Sequence, residues 1–558
     1  MLCLDEPAGA AVARSHPPLP RSVLACLPLL WRQTLFPGHA PPQPVRRRWL
    51  VLLVILVIPG VLLYPCLSFH LFEPDEGRYA QIPREMLLRG EWVIPYLQGE
   101  PYLDKPPLLY WLVMGSYLLF GVHDWAARLV PALAVHGSVL TAFLLGRRSL
   151  GERAALWGSL VLCLAPGFIG MGRLLILDGL LTLWVTLAIL GAFEAVRGPR
   201  RRWGWWLLAA LACGLGVLTK GPVALVLLAP PLWVYRQLNG GSRVGWPGLL
   251  AFAAVLLAVV LPWYVAICLR QPTFAPYFLW QHNILRFLQP FDHIQPVWYY
   301  APVLLAGLLP ATLLAVPFLR FLVSGERHAA RRRCPELGFL LLAGGWCVLF
   351  FSLSGSKLPT YVLPAFPPLA LAVGYYLAVS HWRHSRWPAA AAATTFGLLC
   401  LGHHVLVPWY AWYRSPMSRP EEVRAFLADP RVPVICYPRN VDSLAFYLGR
   451  DDLRNIRSRD IEVLRYVVRQ QPRTVVLCTH RSSLRGLRQA LPPEVHIVKE
   501  KHFALGDVPG LPNWLSKKVA QLAGETPFGL CDIAVVEMRN APPLTHSERP
   551  ADAGRSRR

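Results

Sequence analysis

Between Phe72 and Tyr110 the chain reads FEPDEGRYAQIPREMLLRGEWVIPYLQGEPYLDKPPLLY, which places Asp75, Glu76, Arg78, Arg84, Asp104 and Lys105 between apolar runs. A carboxylate beside a membrane surface can take the proton of an acceptor hydroxyl, and two together let one hold a raised pKa or orient the substrate. Asp75 and Glu76 are therefore candidate catalytic groups. Fixed cations and hydroxyl donors suit a phosphate, and arginine presents a planar fork. Arg78, Tyr102 and Lys105 are candidates for that task, with Pro106 and Pro107 stiffening the approach to the next apolar run. Plainer roles fit the same residues. Asp75 precedes a helix expected through Leu88 and suits its N-terminus, and Lys105 suits a lysine reaching toward headgroups.

Three later segments carry similar chemistry. GRLLILDGL holds Arg173 and Asp178 at the start of an apolar run, where an ionisable group faces a cavity or pairs with a cation; pairing of Asp178 with Arg173 is the simple alternative. The stretch Leu269 to Trp298 carries Trp280, His282, Asn283, Arg286, Phe287, Asp292 and His293. Aromatics among polar groups suit a sugar face and a phosphate, and equally an interfacial belt. SGSKLPTYVLP places Lys357 and Tyr361 four apart, on one face if helical. Neither the histidines nor the scattered cysteines have metal-ligand spacing. Lysine is scarce, and Lys105, Lys220 and Lys357 are the only ones before the C-terminal region.

These residues must be held by a membrane-embedded scaffold. The 558 residues are 54% hydrophobic, with a mean hydropathy of +0.39, more apolar than a soluble domain. Spans are predicted near 49–69, 128–146, 154–171, 174–196, 204–219, 221–236, 246–268, 298–322, 336–353, 358–379 and 388–408. The shorter run 107–121 is predicted to be a juxtamembrane or re-entrant helix. With the N-terminus inside, every inner loop bears arginine, and the three lysines fall outside, where an anionic headgroup would attract them. The net charge of +24 is thus explained by topology and not by nucleic acid.

The domains expected are a basic cytoplasmic segment 1–48, a membrane domain 49–409 with an external loop 70–127, an extracytoplasmic α/β domain 410–540 and a disordered tail 541–558. The first span reads as an uncleaved signal anchor. In the α/β domain VPVICYP, TVVLCTH, VHIVKE and DIAVVEM read as strands, and SLAFYL, DIEVLRYVVRQ and SLRGLRQAL as helices. A bridge between Cys436 and Cys478 is left open, and no Gly-rich phosphate loop follows the first strand.

Taken in order, the motifs resemble those of the polytopic GT-C glycosyltransferases, in the branch holding protein O-mannosyltransferase-like enzymes and the aminoarabinose transferase of lipid A. They are Asp75-Glu76-Gly77-Arg78-Tyr79, Tyr102 to Pro106, Arg173 to Asp178, His282 to Phe287 and Ser356 to Pro364. The resemblance covers about residues 50–380. It implies a GT-C fold of about eleven or more transmembrane helices and an integral inner-membrane enzyme. The activity implied is inverting transfer of a hexose or aminopentose from a polyprenyl-phosphate donor to an envelope acceptor such as lipid A, protein or glycan. By that resemblance Asp75 is the acceptor-side catalytic carboxylate, Arg78, Tyr102, Lys105 and Arg286 hold the carrier phosphate, and Asp178 supports the site. The reading of the residues themselves adds Glu76 to catalysis, Lys357 and Tyr361 to the phosphate, and Arg173 and His282 to the support. No cofactor is required, and Asp104 standing where relatives tend to have Glu weakens any metal site there. A transporter or flippase of lipid-linked sugars is the competing reading, although its polar groups would gather at the midplane.

Overall fold

The computed structural model describes residues 48–539 apart from 240–243, 290–291, 416, 418–419, 428, 430, 439–440, 458–459, 479–482 and 503–531. Residues 1–47 and the tail 541–558 lie outside the described residues. The membrane portion contains α1 (Arg48–Leu63), α2 (Asp75–Arg89), the hairpin β1 (Tyr96–Leu97) and β2 (Glu100–Pro101), α3 (Leu108–Phe120), α4 (Asp124–Ser149), α5 (Glu152–Cys163), α6 (Pro166–Gly172), α7 (Leu177–Val196), α8 (Trp203–Lys220), α9 (Val223–Asn239) and α10 (Trp246–Arg270). After a π-helical segment, Pro276–Leu285, come α11 (Tyr300–Gly307), α12 (Ala315–Val323), α13 (Pro335–Leu353), α14 (Phe366–Val379), α15 (Trp387–Leu401) and α16 (Val407–Arg414).

Among the described residues, seven helices are long and apolar enough to cross a membrane, and up to nine do so if two bent pairs each count as one span. The pairs are α5 with α6, bent by 61°, and Val297–Gly307 with Ala311–Val323, bent by 106°. Each bend has a local cause. Pro166 disfavours helical geometry at Ala165, and Pro310 removes an N–H from the other break. Helices occupy all eleven predicted segments, but α1 and α9, of 16 and 17 residues, fall short of a span on length. The chain is a polytopic helical membrane protein. α3, at 13 residues, is about 20 Å long, against a hydrocarbon core of about 30 Å.

α7 sets the two ends of the bundle. Asp178 lies in its first turn, and Glu194 lies 16 residues later, about 24 Å along the axis. Buried Glu194 lies 2.9–3.4 Å from Arg148, Arg197 and Arg202, so one end is arginine-clamped, and the other opens at Asp178.

The C-terminal part adds α17 (Pro420–Phe426), β3 (Val434–Tyr437), α18 (Asp442–Leu448), β4 (Arg454–Asn455), α19 (Ile461–Arg469), β5 (Arg473–Cys478), α20 (Ser483–Ala490), β6 (Val495–His502) and β7 (Asp532–Met538). The sheet order is β4-β3-β5-β7-β6. β4, β3 and β5 run parallel, and β7 is antiparallel to both its neighbours. Alternate residues feed two cores. Val434, Cys436, Val475 and Leu477 pack with Leu444 of α18, whereas Ile435, Val476 and Ala534 pack with Leu464 and Val468 of α19 and Leu487 of α20. Among the described residues, Cys436 and Cys478 form no disulfide.

This sheet domain docks on α2 through α18. The Tyr447 hydroxyl accepts the Leu71 N–H at 2.9 Å and donates to Asp124 at 3.2 Å. Gln81 and Arg84 donate to the Arg450 carbonyl at 2.8 and 3.2 Å. Gly77 permits the closest approach. A Cβ there would stand 2.5 Å from the Ser443 nitrogen and 3.1 Å from the Asp442 carbonyl carbon. Backbone cannot swing aside, so Gly77→Ala is expected to destabilise docking by about 1–3 kcal/mol. A lower melting temperature and faster proteolysis of the sheet domain would show it; unchanged values would mean that the interface can slide.

Candidate functional site

α2 and the hairpin bring the first group of site residues together. Glu85 of α2 accepts the N–H groups of Gln98 and Gly99 at 2.8 and 3.1 Å, which pins the hairpin and the strand leading to Tyr102. Arg78 then sits over the Tyr102 ring at 5.8 Å and 3.6 Å from Asp75. The Asp75 side chain retains 46% of its exposure and faces a cleft of about 1560 Å³ lined by both the membrane domain and the sheet domain.

Adjacent positions on a helix point about 100° apart, so Asp75 and Glu76 diverge. The Glu76 carboxylate is buried and accepts from Arg128 Nε and Nη2 at 2.9 and 2.7 Å, from the Leu175 N–H at 2.8 Å and from the Phe72 N–H at 2.9 Å. Burial raises its pKa, but Arg128 and these N–H donors hold it below the usual carboxylate value. The expectation of a second catalytic carboxylate is therefore corrected, because every Glu76 oxygen is committed to fastening the loop against α4. Glu76→Gln should strand the buried Arg128 charge and cost about 3–5 kcal/mol. Thermal unfolding in detergent checks this, and an unchanged midpoint would return Glu76 to the catalytic candidates.

The second group surrounds Lys105. Its Nζ is 2.6 Å from His282 Nε2 and 3.1 Å from the Asp104 carbonyl oxygen. Tyr277 donates to Asp104 at 2.5 Å. Despite burial, that hydrogen bond and the adjacent Lys105 hold Asp104 below its usual value. The π-helical segment supplies Tyr277 and His282, whose rings stack at 5.9 Å. Arg286, one turn on, lies 3.3 Å from His282, and its Nη2 donates to both oxygens of Asp292 at 2.8 and 3.0 Å. Lys220, at the end of α8, pairs with Asp178 at 2.5 Å and lies over the Tyr361 ring at 4.2 Å. Burial, with Lys220 and Arg286 nearby, pushes Lys105 down to about 7. Burial, with Lys105 and Arg286 nearby, pushes His282 down to about 3. His282 is thus a neutral acceptor that orients the lysine ammonium.

Asp75, Arg78, Tyr102, Lys105, Asp178, His282, Arg286 and Tyr361 all line the one cleft, and Glu76 borders it from its buried position. Two predicted residues do not. Lys357 is buried and turned onto the Gln295 carbonyl at 2.9 Å and the Ser354 carbonyl, so its charge serves the loop backbone. Arg173 is 1% exposed, 3.2 Å from His403 and over the Phe69 ring at 5.1 Å; Asp178 takes Lys220 in its place. Lys220, Tyr277 and Asp292 join the site without having been assigned to it. The scarcity of lysine pointed to Lys220, whereas nothing local marked Tyr277. Among the described residues, no three His, Cys, Asp or Glu side chains converge in a way that could hold a metal.

A family model described as dolichyl-phosphate-mannose-protein mannosyltransferase matches residues 48–278. An undecaprenyl phosphate-alpha-4-amino-4-deoxy-L-arabinose arabinosyl transferase of Pseudomonas fluorescens is 37% identical over 342 residues, covering 60% of this chain and 58% of the relative. One of Pseudomonas savastanoi pv. phaseolicola is 36% identical over 382 residues, covering 65% of this chain and 67% of the relative. The chain spans somewhat under two thirds of several such relatives, 58% and 59% in two of them. The crystal structure of ArnT from Cupriavidus metallidurans in the apo state superposes with a TM-score of 0.65 at 22% identity, covering 81% of this chain and 96% of that one. The same protein bound to undecaprenyl phosphate gives 0.64 at 21% identity, covering 82% and 97%. At these identities the likeness concerns the fold.

Proposed function

We propose, from the premise that the chain belongs to the polytopic GT-C glycosyltransferases that include the undecaprenyl phosphate aminoarabinose transferases, that it moves a sugar from a polyprenyl-phosphate donor to an envelope acceptor with inversion. The observation that carries this reading is the convergence of Lys105, Lys220 and Arg286 with Arg78, Tyr102 and Tyr361 around one cleft that Asp75 also faces. Those cations suit the phosphate of the carrier, and the apolar helices below suit its polyprenyl tail.

In the reaction the acceptor oxygen attacks the anomeric carbon as the bond from that carbon to the phosphate oxygen breaks. The bonding electrons leave on the carrier phosphate, and the acceptor proton goes to Asp75. Preorganised donors stabilise charge where it develops, which gives Lys105, Arg286 and Lys220 their role. Asp178 holds Lys220, and His282 holds Lys105. Energy comes from the sugar–phosphate bond, so no nucleotide is needed.

The finer reading is eleven crossings with an N-terminus inside, an active site and sheet domain on the outer face of the inner membrane, and 4-amino-4-deoxy-L-arabinose as sugar with lipid A as acceptor. The relatives' names support that donor, and the arginine clamp around Glu194 supports the orientation. Purified chain given undecaprenyl phosphate-linked aminoarabinose and lipid A tests it: transfer of one sugar supports the reading, and transport of the donor without covalent transfer would replace it with a flippase.

A further inference from the structure

α18 brings Asp442 to the catalytic motif from a different domain. Its carboxylate is fully buried. One oxygen accepts from Asn455 Nδ2 at 3.4 Å, and the other lies 3.9 Å from Arg78 Nε. Arg78 is the residue that also reaches Asp75, at 3.6 Å. Glu73, just ahead of the motif, accepts the Ser443 N–H at 2.6 Å. Gly77 lies between these contacts, and a side chain there would collide with the Ser443 nitrogen at 2.5 Å and Glu73 Oε1 at 2.7 Å. The glycine of the Asp75-to-Tyr79 motif is thus the point at which the sheet domain touches it.

We propose that Asp442 of the sheet domain is a positioning residue for the transfer, holding the Arg78 guanidinium between itself and Asp75. This rests on the glycosyltransferase reading, and it makes the sheet domain part of the catalytic apparatus and not only a module beside it.

The physical argument is one of unequal anchors. Asp75 is half exposed, and a solvated carboxylate by itself fixes Arg78 poorly. Asp442 is dry, its Oδ2 makes no hydrogen bond among the described residues, and Arg78 is the cation it faces, so moving the guanidinium away would strand a buried carboxylate. Burial and the neighbouring Asp442 push Glu73 up to about 8, and burial raises Asp442 too. The pair therefore holds a proton at neutral pH, which leaves Arg78 facing one buried anion and not two. The charged groups facing this pair are Arg78 and Glu85 on α2.

The test is a double-mutant cycle in the full-length chain, read separately on undecaprenyl phosphate affinity and on kcat for transfer. Asp442→Asn and Arg78→Gln are each expected to weaken carrier binding about tenfold, and the double variant no more than Arg78→Gln alone. Melting temperatures of the singles should stay near that of the parent chain. Losses that multiply, or an Asp442→Asn chain that binds carrier as the parent does, would overturn the proposal. Should Asp442→Asn not fold, Asn455→Ala enters the same cycle, with a smaller expected loss of about threefold. A parent chain that neither binds carrier nor transfers sugar sinks the glycosyltransferase reading; a competent parent with multiplying losses sinks only the role of Asp442.

Discussion

Asp75→Asn is expected to lower kcat for sugar transfer by about 10²–10⁴-fold, the range for loss of a positioned general base, while undecaprenyl phosphate affinity changes less than about threefold. Three observations converge on this. The Asp75 carboxylate is free of the hydrogen bonds that consume Glu76, its closest cation is Arg78 at 3.6 Å, and it faces the cleft that Lys105 and Arg286 also line. Asparagine keeps the size and the helix start, so the fold and the phosphate contacts survive while the basic oxygen is lost. Separating kcat from KM distinguishes base loss from donor loss. Mass spectrometry of envelope lipids, glycans and glycoproteins should show one sugar missing from one acceptor both in cells lacking the chain and in cells carrying Asp75→Asn. A variant that turns over normally would assign Asp75 to the α2 N-terminus alone.

The contrast between Asp75 and Glu76 shows where sequence reading stops. Their adjacency suggested a catalytic pair, but helix geometry separates them, and the fate of Glu76 is fixed by Arg128, which lies 52 residues away. Lys357 and Arg173 fail for the same reason. Each stands in a recognisable motif, and each is claimed by a distant or backbone partner that local pattern does not encode. The membrane helices were legible because long apolar runs have few other solutions, and the strands β3, β5, β6 and β7 because short apolar segments alternate with helices. The two-residue β4 gave too little signal to be read. β7 lies between β5 and β6 with antiparallel pairing, a long-range choice that no segment announces. The motif glycine, Gly77, carries no chemistry by itself, and its meaning appears only when α18 is seen against it.

The cation cluster makes a second strong prediction, about pH. Without carrier, Lys105 is held down to about 7 by burial and by Lys220 and Arg286, against an ordinary lysine value of about 10.4. A bound phosphate dianion or monoanion would restore the charged form and raise that value. Binding therefore takes up a proton wherever free Lys105 is neutral. The sign follows: below about pH 7 the lysine is already charged and affinity is flat in this group, and above it affinity falls by up to about tenfold per pH unit until the bound-state value is reached. His282 does not contribute to the slope, because it stays neutral from about 3 upward. Lys105→Ala should weaken carrier binding about 10²-fold and abolish the slope. Lys105→Arg should flatten the slope while keeping much of the affinity, since arginine does not titrate there. Carrier affinity measured from pH 6 to 9 on the three chains decides it. A slope that persists in Lys105→Ala would move the titrating group elsewhere. A parent chain with flat affinity would mean that Lys105 is charged before the phosphate arrives, so that Asp104 and the surrounding water, not the carrier, satisfy its ammonium.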